Sequence, residues 1–448
     1  MPSSRTILTA GLLAATLASV VYWLLTLRWL TRYFSGSVAA HGEEPTEMER
    51  SFDCATPGFA HLRSAQDDRG WDHETARGVV ILSGVPDGPR RAGTESKDFS
   101  VIPDGEPPPV TFFRPVKRGV PRLMEKLEML VRAVLPGDQI VLGADAGSAE
   151  FAIAEQTRAA FPQIDIAVVA CAPGAAANPK ISKLIQMQSA ARHGHWIVSD
   201  SETQLDRTFC DAFREEWKRC DVLTAGYRIT GLKSWPQQLD AAAVLLALWP
   251  GLMAVNRGGG PRFTLGACTA FRAADLAQVG GWSAFADDLA EDHQIGAALA
   301  RAGKRIVLST HVVALESDLL TWRDYWRHQR RVAVTYRVSN AAGFAGMALV
   351  YGLPWSLLLA LLHRSNPLAW AWFALVWLAR LRIASAAARQ LRFPIGRLPL
   401  VVFIASLVEA ICAALSWIDR RVWWGGWRRV SRSGKLKPSV SSLPSPSA

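Results

Sequence analysis

The segment His193–Glu202, with the sequence HGHWIVSDSE, decides the fold. Its apolar residues predict a strand, Trp196–Ser199, that runs directly into two carboxylates, those of Asp200 and Glu202. Ligands of an open parallel sheet bind beyond the carboxyl ends of the strands. The segment therefore predicts a sheet and also the edge of that sheet at which a ligand binds.

Short β-branched runs alternate with helical patterns on both sides of this segment, between residue 107 and about residue 313. The predicted strands are Val110–Phe113, Gln139–Gly143, Asp165–Ala170, Trp196–Ser199, Val222–Ala225 and Arg305–Ser309. The predicted helices between the first four strands are Arg122–Leu135, Ala149–Ala160 and Ile181–His193. Alternation at this spacing predicts an α/β fold, in which helices flank a mainly parallel sheet.

The composition indicates that lipid surrounds part of the chain. Half of the 448 residues are hydrophobic, and 18 of them are tryptophan. The net charge of +11 suits anionic lipid, nucleic acid or a phosphorylated substrate. The six cysteines form no CxxC pair, which argues against a disulfide framework and a zinc knuckle and favours a reducing cytosol.

Residues 1–39 contain a predicted N-terminal membrane anchor. The 21 residues Ile7–Leu27 are uncharged and long enough to cross about 30 Å of hydrocarbon. A cleaved signal peptide is the alternative, but its apolar core is usually shorter, and Arg28 and Arg32 follow here in place of a cleavage site. Only Arg5 precedes the span, so the positive-inside rule predicts that the chain after it lies in the cytosol.

The chain after the anchor divides into four further regions. Residues 40–106 are charged and rich in Gly and Pro, and they predict a flexible insert with one short strand, Val79–Ser83. Residues 107–340 form the predicted cytosolic catalytic domain. Residues 341–420 hold C-terminal membrane segments, and residues 421–448 form a tail that is first basic and then rich in Ser and Pro.

Three apolar runs make up the C-terminal membrane region: Gly343–Leu362, Pro367–Leu378 and Leu398–Trp417. If all three crossed the bilayer, the basic tail would end outside, against the positive-inside rule. We therefore expect one run to be interfacial or re-entrant. Pro354, the shortness of the middle run and the charge of Glu409 are the grounds for this expectation.

The densest basic cluster follows the last run, in Asp419–Arg429. Arginines interleaved with tryptophans beside a spanning segment predict contact with lipid headgroups. The same pattern can stack on nucleic-acid bases. The neighbouring membrane segment favours lipid, and we expect no nucleic-acid partner.

Acidic residues at three places suit the chemistry of diphosphates. Asp145 ends a predicted strand, where it either contacts a ligand or caps the next helix. Asp200 and Glu202 either hold Mg²⁺ or Mn²⁺ on a diphosphate leaving group or act as a helix cap and a first-turn acid. Asp292 opens a helix, where it either takes a proton from an acceptor hydroxyl or favours the helix N-terminus. His293 is a further candidate for a base or metal ligand.

Two basic segments complete the set. Asn178–Lys183 precedes a helical stretch, and Arg327–Arg331 precedes the apolar runs. Arginine binds a diphosphate through paired hydrogen bonds. Lipid phosphate explains an arginine run at a membrane edge equally well.

Eight short motifs follow one another along the chain. They are RPVKRGVPRLMEKL (114–127), VLGAD (141–145), NPKISKL (178–184), VSDSE (198–202), TLGACTAFR (264–272), VGGW (279–282), LAEDHQIG (289–296) and WRHQRR (326–331). In these motifs the chain resembles the ceramide glucosyltransferase family, and within it the bacterial hopanoid-biosynthesis glycosyltransferases. The resemblance covers about residues 107–340 and implies the GT-A fold of the family-two inverting glycosyltransferases, with N-terminal and C-terminal transmembrane helices.

The resemblance also implies roles for individual residues. Asp145 matches the aspartate near the nucleotide base, and Asp200 with Glu202 matches the metal-binding DxD pair. Asp292 matches the catalytic base, and Arg331 matches the arginine of the (Q/R)xxRW motif that closes over the diphosphate. The other residues assigned to nucleotide-sugar binding are Lys180, His328, Gln329 and Arg330.

The chain departs from the family pattern at four positions. Glu202 stands where the family usually has Asp, and Lys183 stands where Asn is common. His328 and Val332 replace the usual Gln or Arg and the usual Trp of the last motif. These departures affect the site more than the fold.

The resulting hypothesis is inverting transfer of glucose or N-acetylglucosamine from a UDP-sugar to a hydroxyl of a membrane lipid, either a hopanoid or a ceramide. Mg²⁺ or Mn²⁺ is the expected cofactor. The expected location is the bacterial inner membrane, where a multi-pass protein keeps its catalytic domain in the cytosol. The alternatives are a processive polysaccharide synthase and a non-catalytic membrane scaffold with a degenerate site.

Overall fold

A computed structural model describes residues 4–41, 108–424 and 427–437. The predicted strand Val79–Ser83, the predicted insert beyond residue 41 and the Ser/Pro-rich end of the tail lie outside the described residues. The sheet domain, defined here as residues 108–340, follows the N-terminal helix α1 (Ser4–His41).

Eight strands form the main sheet. They are β1 (Val110–Pro115), β2 (Gln139–Asp145), β3 (Asp165–Cys171), β4 (His195–Ser199), β5 (Thr203–Gln204), β6 (Val222–Thr230), β7 (Cys268–Arg272) and β8 (Ile306–Glu316). The helices of the sheet domain are α2 (Leu123–Ala133), α3 (Ala149–Ala160), α4 (Pro179–Met187), α5 (Arg207–Trp217), α6 (Trp235–Ala243), α7 (Trp249–Arg257), α8 (Ala273–Gln278), α9 (Glu291–Arg301) and α10 (Trp322–Ser339). All six predicted strands and all three predicted helices are confirmed, although α4 ends at Met187 instead of His193.

The sheet is mixed, with the order β3-β2-β1-β4-β7-β6-β8-β5. The strands from β3 to β4 are parallel, as are β6 and β8. The prediction of a mainly parallel sheet is confirmed, but the sheet also contains antiparallel pairs, because β7 lies antiparallel between β4 and β6 and β5 is antiparallel to β8. The short β7 was not predicted, and it brings the loop before it to the end of β4.

Apolar residues cover both faces of the sheet. Phe112 and Ile140 face one core together with Leu130 of α2, whereas Phe113 and Val141 face the other. Side chains alternate between faces along a strand, so adjacent phenylalanines enter separate cores. The carboxyl ends of β1, β2 and β4 are thereby fixed side by side.

A bulge in β6 seats the helix that follows it. The register shifts between Ala225 and Tyr227, and the ring of Trp249 lies only 2.6 Å from the position that a Cβ on Gly226 would take. The indole nitrogen of Trp249 donates to the Tyr227 carbonyl at 3.0 Å. Glycine at position 226 is therefore needed for α7 to lie on the sheet.

Four helices among the described residues are long and apolar enough to cross a membrane: Ser4–Ser35, Trp235–Arg257, Pro367–Gln390 and Leu398–Ile418. The second joins α6 and α7 through a π-helical turn, Val244–Leu248, and was not predicted. The other helices after residue 340 are α11 (Ala341–Gly346), α12 (Gly352–Leu362), α13 (Pro367–Gln390) and α14 (Leu398–Ile418).

The C-terminal runs differ from their predicted lengths. The first run is divided into α11, a 3-10 turn at Met347–Tyr351 and the short α12. The middle run, predicted to be short, belongs to α13, which has 24 residues. The prediction was wrong because Arg380, which interrupts the apolar sequence, is buried inside the protein, over the ring of Trp23 at 4.3 Å.

Helix α1 and helix α13 run between the sheet domain and the connection at residues 362–366. At one end Arg5 donates to the Leu362 carbonyl at 2.9 Å, and at the other the Tyr33 hydroxyl donates to the Leu308 carbonyl at 2.5 Å. The last turns of α13 pack beside Leu308 as well. These two helices therefore extend away from the sheet domain and return to it.

Helix α14 contacts the sheet domain at both ends. Arg397, just before it, lies over the ring of Trp235 at 5.2 Å, and Asp419, just after it, accepts a hydrogen bond from Arg330 at 3.1 Å through its carbonyl. The chain after α14 is therefore on the same side as the sheet domain. The expectation that one of the three apolar runs does not cross the membrane stays a prediction.

Residues 419–424 and 427–437 fold back over the sheet domain, and we call them the C-terminal strap. The strap contains the antiparallel strands β9 (Arg421–Trp423) and β10 (Trp427–Arg429). Val422, Val430 and Leu436 pack against Leu289 and Val334. These apolar residues cover the segment that leads into α9. Contact of the strap with lipid headgroups stays a prediction.

Candidate active site

A cavity of about 810 Å³ opens where β1 and β4 end. Its polar wall includes Asp200, Glu202, Asp292 and the lysines 117, 180 and 183. Its other walls come from the apolar helices and the strap, including Val244, Phe344, Tyr351, Glu409 and Trp424. One cavity therefore joins the acidic edge of the sheet to the apolar helices.

Three charged side chains converge on Gly266, in the loop before β7. A Cβ on this glycine would lie 3.0 Å from Asp292 Oδ2, 3.2 Å from Lys180 Nζ and 3.4 Å from Asp200 Oδ2. The Asp200 amide donates to the Ala267 carbonyl at 3.2 Å, which fixes the loop against the end of β4. Two predicted carboxylates and one predicted lysine are thus brought together around Gly266, which has no side chain.

Lys180 lies in the first turn of α4. The Asn178 side chain caps this helix by accepting from the amides of Lys180 and Ile181, and Pro179 occupies the first helical position. The ammonium of Lys180 is 2.7 Å from Asp200 Oδ1 and 3.4 Å from Glu291 Oε1. Burial by itself lowers the pKa of Lys180, but Asp200, Glu291 and Asp292 outweigh burial and raise it.

Asp292 lies in the first turn of α9. Its Oδ1 accepts from the His293 amide at 2.8 Å, and its carbonyl accepts from Thr264 at 2.7 Å. Burial raises the pKa of Asp292, and the nearby charge of Asp200 also raises it, whereas Lys180 lowers it. The His293 ring stacks on Phe263 at 5.2 Å, away from the cavity wall, so the structure does not place it as a base or metal ligand there.

Glu202 is turned toward a different cation from Asp200. Its carboxylate pairs with Lys117, which also lies 2.9 Å from Asp318, and it accepts from the Ser201 hydroxyl at 2.9 Å. Burial lowers the pKa of Lys117, but Glu202 and Asp318 outweigh burial and raise it. Asp200 is less enclosed, with its side chain 31% exposed against 14% for Glu202.

The donor set fits a divalent cation that is shared with a ligand. Mg²⁺ commonly takes only one or two protein carboxylates and completes its shell with phosphate oxygens and water. Asp200 and Glu202 supply two carboxylates on one cavity wall. No group of three or more His, Cys, Asp or Glu side chains within residues 4–41, 108–424 and 427–437 forms a complete cage.

Asp145 stands behind the cavity wall. Its carboxylate lies 2.8 Å from Arg118 and 2.9 Å from Lys183, and both cations line the cavity. Lys183 also donates to the Val116 carbonyl at 2.6 Å. Burial tends to raise the pKa of Asp145, but Lys183 and Arg118 outweigh it and lower the pKa. Asp145 therefore positions two cations at the end of β1.

The RHQRR segment divides between two sides of α10. Arg331 lines the cavity, bonds to His328 Nδ1 at 3.1 Å and lies over the Trp424 ring at 5.2 Å. Burial and the charge of Arg331 lower the pKa of His328 to about 3, so this imidazole is neutral. Gln329 lines the cavity and bonds to Asp240 at 3.5 Å. Arg330 is not part of the cavity wall, because its guanidinium turns to Asp419 at the end of α14.

Sequence reasoning missed several residues of the cavity wall. Lys117 and Arg118 directly follow β1, and this position beside a predicted strand end was the available signal. Nothing in the sequence around Asp318 or Tyr336 indicates that these residues line the cavity. Trp424 was predicted to contact lipid, and its place beside Arg331 depends on the return of the chain after α14.

A curled mixed sheet flanked by helices, with carboxylates and lysines gathered at its strand ends, defines a glycosyltransferase of the GT-A class. The chain belongs to glycosyl transferase family 21, the ceramide glucosyltransferase family, because residues 92–436 match that family. No curated protein matches the sequence of this chain.

Solved glycosyltransferases show a distant structural likeness. The mannosyltransferase PcManGT of Pyrobaculum calidifontis, in complex with GDP-mannose and Mn²⁺, has a TM-score of 0.43 and 19% identity, covering 72% of this chain and 91% of its own. TarS of S. aureus, residues 1–349 in complex with UDP-GlcNAc, has a TM-score of 0.31 and 13% identity, covering 69% of this chain and 90% of its own.

Proposed function

We propose that the protein transfers glucose or N-acetylglucosamine from a UDP-sugar to a hydroxyl of a membrane lipid, a hopanoid or a ceramide, with inversion at the anomeric carbon. The observation that carries this proposal is the single cavity that runs from Asp200 and Asp292 to the apolar helices. A donor with a diphosphate suits the charged end, and a water-insoluble acceptor suits the helical end.

Asp292 is the proposed base. It removes the proton from the acceptor hydroxyl while the oxygen forms a bond to the anomeric carbon, and the bond from that carbon to the diphosphate breaks and leaves UDP. A raised pKa suits this role, because a base is most effective when its pKa approaches the working pH. The proton ends on the Asp292 carboxyl group, and the negative charge ends on UDP.

The cations of the cavity wall hold the diphosphate. Lys180 and Arg331 line the wall near the acidic cluster, and Arg331 offers a planar guanidinium for paired hydrogen bonds. Asp200 and Glu202 would hold Mg²⁺ or Mn²⁺, which neutralises the charge that develops on the leaving group. Arg118 and Lys183, held by Asp145, complete the positive surface toward the nucleotide.

The proposed location is the bacterial inner membrane, with the sheet domain in the cytosol. Arg28 and Arg32 follow the apolar part of α1 at the end that contacts the sheet domain. The basic strap is on the same side, because both ends of α14 contact that domain. Both charge distributions agree with the positive-inside rule.

The test is a transfer assay with purified protein in detergent. The donor is a radiolabelled UDP-sugar, and the acceptor is a lipid extract from cells that lack the gene. We expect a metal-dependent labelled lipid that the wild-type protein forms with UDP-glucose or UDP-N-acetylglucosamine. No labelled lipid and no metal-dependent binding of either donor would overturn the proposal and favour a scaffold.

The pH dependence of kcat should reveal the effect of Lys180 on the pKa of Asp292. Because the pKa of Asp292 is raised, the acid limb of kcat should lie above the usual carboxyl value of about 4. Lys180 lowers the pKa of Asp292, so Lys180→Met should move the acid limb to higher pH. The measurement is kcat against pH, and Lys304→Met, which removes a distant lysine paired with Asp275, is the control. An acid limb that stays in place contradicts the pairing.

Gly266 should tolerate no side chain in an active enzyme. Alanine there puts a methyl group 3.0 Å from Asp292 Oδ2 and 3.2 Å from Lys180 Nζ, so these two groups must give way by a few tenths of an ångström. We expect kcat to fall by about tenfold, since a misplacement of about 1 Å costs about 100-fold, while the melting temperature stays near that of wild type. Gly251→Ala, where a Cβ meets no atom within 4 Å, is the matched control. Unchanged kcat in Gly266→Ala would show that activity does not depend on the close approach of Asp292, Lys180 and Asp200 to this glycine.

A further inference from the structure

The apolar helix α14 contributes a carboxyl group to the cavity wall, that of Glu409, and the proposed reaction gives it no role. Glu409 lies in α14, in the middle of a 21-residue apolar helix, and its side chain lines the same cavity as Asp292. Only 8% of the residue is exposed. A carboxylate at this depth is costly unless a partner satisfies it, and such residues commonly mark a binding site.

Glu409 lacks that partner in the protein itself. Its Oε1 is buried and forms no hydrogen bond with any described residue. The charge of the buried Arg380 acts on Glu409, but the Arg380 guanidinium lies over the Trp23 ring at 4.3 Å and donates to the Leu246 carbonyl at 3.0 Å. It therefore leaves Glu409 Oε1 without a hydrogen bond. The cavity is therefore the side from which a hydrogen-bond donor can reach Glu409.

The surroundings of Glu409 combine an apolar wall with two further hydroxyls. Phe344, Ala247 and Met347 pack in one cluster with Tyr336, Tyr351 and Ala410, the residue after Glu409, and the first five of these line the cavity. Burial raises the pKa of Tyr336, and the charges of Glu409, Asp292 and Asp240 raise it further. Tyr336 and Tyr351 therefore line the cavity in the cluster that adjoins Glu409.

We propose that Glu409, together with Tyr336 and Tyr351, binds a second polar group of the lipid acceptor, a hydroxyl or an amide N–H that donates a hydrogen bond. This inference rests on the proposed function. The reacting hydroxyl lies at Asp292 and the second donor lies at Glu409, so the enzyme selects lipids that carry both groups on one apolar body. A lipid with a single hydroxyl leaves the buried carboxylate unsatisfied and binds more weakly.

The experiment compares transfer with donor hydrolysis. Wild type, Glu409→Leu, Glu409→Gln and Tyr351→Phe are assayed with a radiolabelled UDP-sugar and increasing amounts of the lipid extract from cells that lack the gene. Hydrolysis of the same UDP-sugar without lipid reports the donor site and the base. Ile411→Ala, on the exposed face of the same helix, is the matched control.

For Glu409→Leu we expect the half-saturating amount of extract to rise by about tenfold, because the buried polar group of the lipid loses its hydrogen-bond partner. Donor hydrolysis and the melting temperature in detergent should stay within about twofold and a few degrees of wild type. Glu409→Gln keeps an acceptor oxygen, so it and Tyr351→Phe should change the half-saturating amount by only about threefold.

Each other outcome overturns the inference. Unchanged saturation in Glu409→Leu means that the carboxylate does not contact the acceptor. Parallel losses of hydrolysis and melting temperature mean that Glu409 only supports the helices. A glutamine variant as impaired as the leucine variant requires a cationic group on the lipid instead of a neutral donor. If wild type itself transfers no sugar, the proposed function fails and this inference fails with it.

Discussion

Replacing Asp292 with asparagine should lower the rate of sugar transfer by about 10²- to 10⁴-fold, which is the usual contribution of a general base. Asparagine keeps the shape of the side chain and can still accept from the His293 amide, so α9 should keep its place. It cannot take the proton of the acceptor hydroxyl. The measurement is kcat with the labelled UDP-sugar, and calorimetry should show donor binding within a few-fold of wild type.

The matched control for this change is Asp211→Asn, an exposed carboxylate of α5 that pairs with Arg207 outside the cavity. It should retain full activity. If Asp292→Asn also retained full activity, the base assignment would be wrong. If it lost donor binding to the same degree as activity, Asp292 would instead be a donor-binding residue.

Removing the Asp200 carboxylate should have the second large effect. Asp200→Ala should raise the Mn²⁺ concentration for half-maximal activity by at least about 10- to 100-fold, because changes to residues behind a metal ligand already cost that much. Glu202→Ala should have a smaller effect, since its carboxylate is paired with Lys117 and is more enclosed. The measurement is activity against Mn²⁺ and Mg²⁺ after chelation.

The comparison of the two variants tests the second metal ligand. Glu202→Asp restores the residue that is usual in the family, and we expect it to keep most of the activity. If Glu202→Ala is as impaired as Asp200→Ala, both carboxylates hold the metal. An Asp200→Ala variant with an unchanged metal requirement would contradict the metal site as a whole.

The candidate site residues that lie at the ends of secondary-structure elements could be predicted from the sequence. Asp145, Asp200 and the lysines of α4 sit at element ends, and local apolar alternation is enough to locate such ends. Asp292 was found from its place in the first turn of a helix and from the family motif. Its distance from Asp200 was not predictable, because it depends on the loop before β7 and on Gly266.

The remaining features depend on contacts between distant parts of the chain. The antiparallel β7 is short and pairs with strands far along the chain, so its local pattern does not reveal its direction. The ion pair of Lys117 with Glu202 depends on the conformation of two loops, which the spacing of residues in the sequence does not reveal. The apolar stretch Trp235–Arg257 was overlooked because it begins with polar residues that face Ser317 and the cavity.

The strap reaches the segment before α9 through several contacts. Lys435 lies 2.8 Å from Asp288, the Leu289 amide donates to the Gly434 carbonyl at 3.0 Å, and Arg428 donates to the Ala177 carbonyl at 3.0 Å. These contacts join the segments that lead into α4 and α9, the helices that carry Lys180 and Asp292. Trp424 closes the cavity beside Arg331.

This arrangement gives biosynthesis an order. A ribosome makes the chain from its N-terminus, so Asp200, Asp292 and Arg331 emerge before α12, α13 and α14, and the wall that Trp424 provides emerges after all of them. A nascent chain therefore lacks a finished pocket until α14 is in place. The polar wall of the cavity is therefore synthesised first, and the cavity is completed only near the end of synthesis.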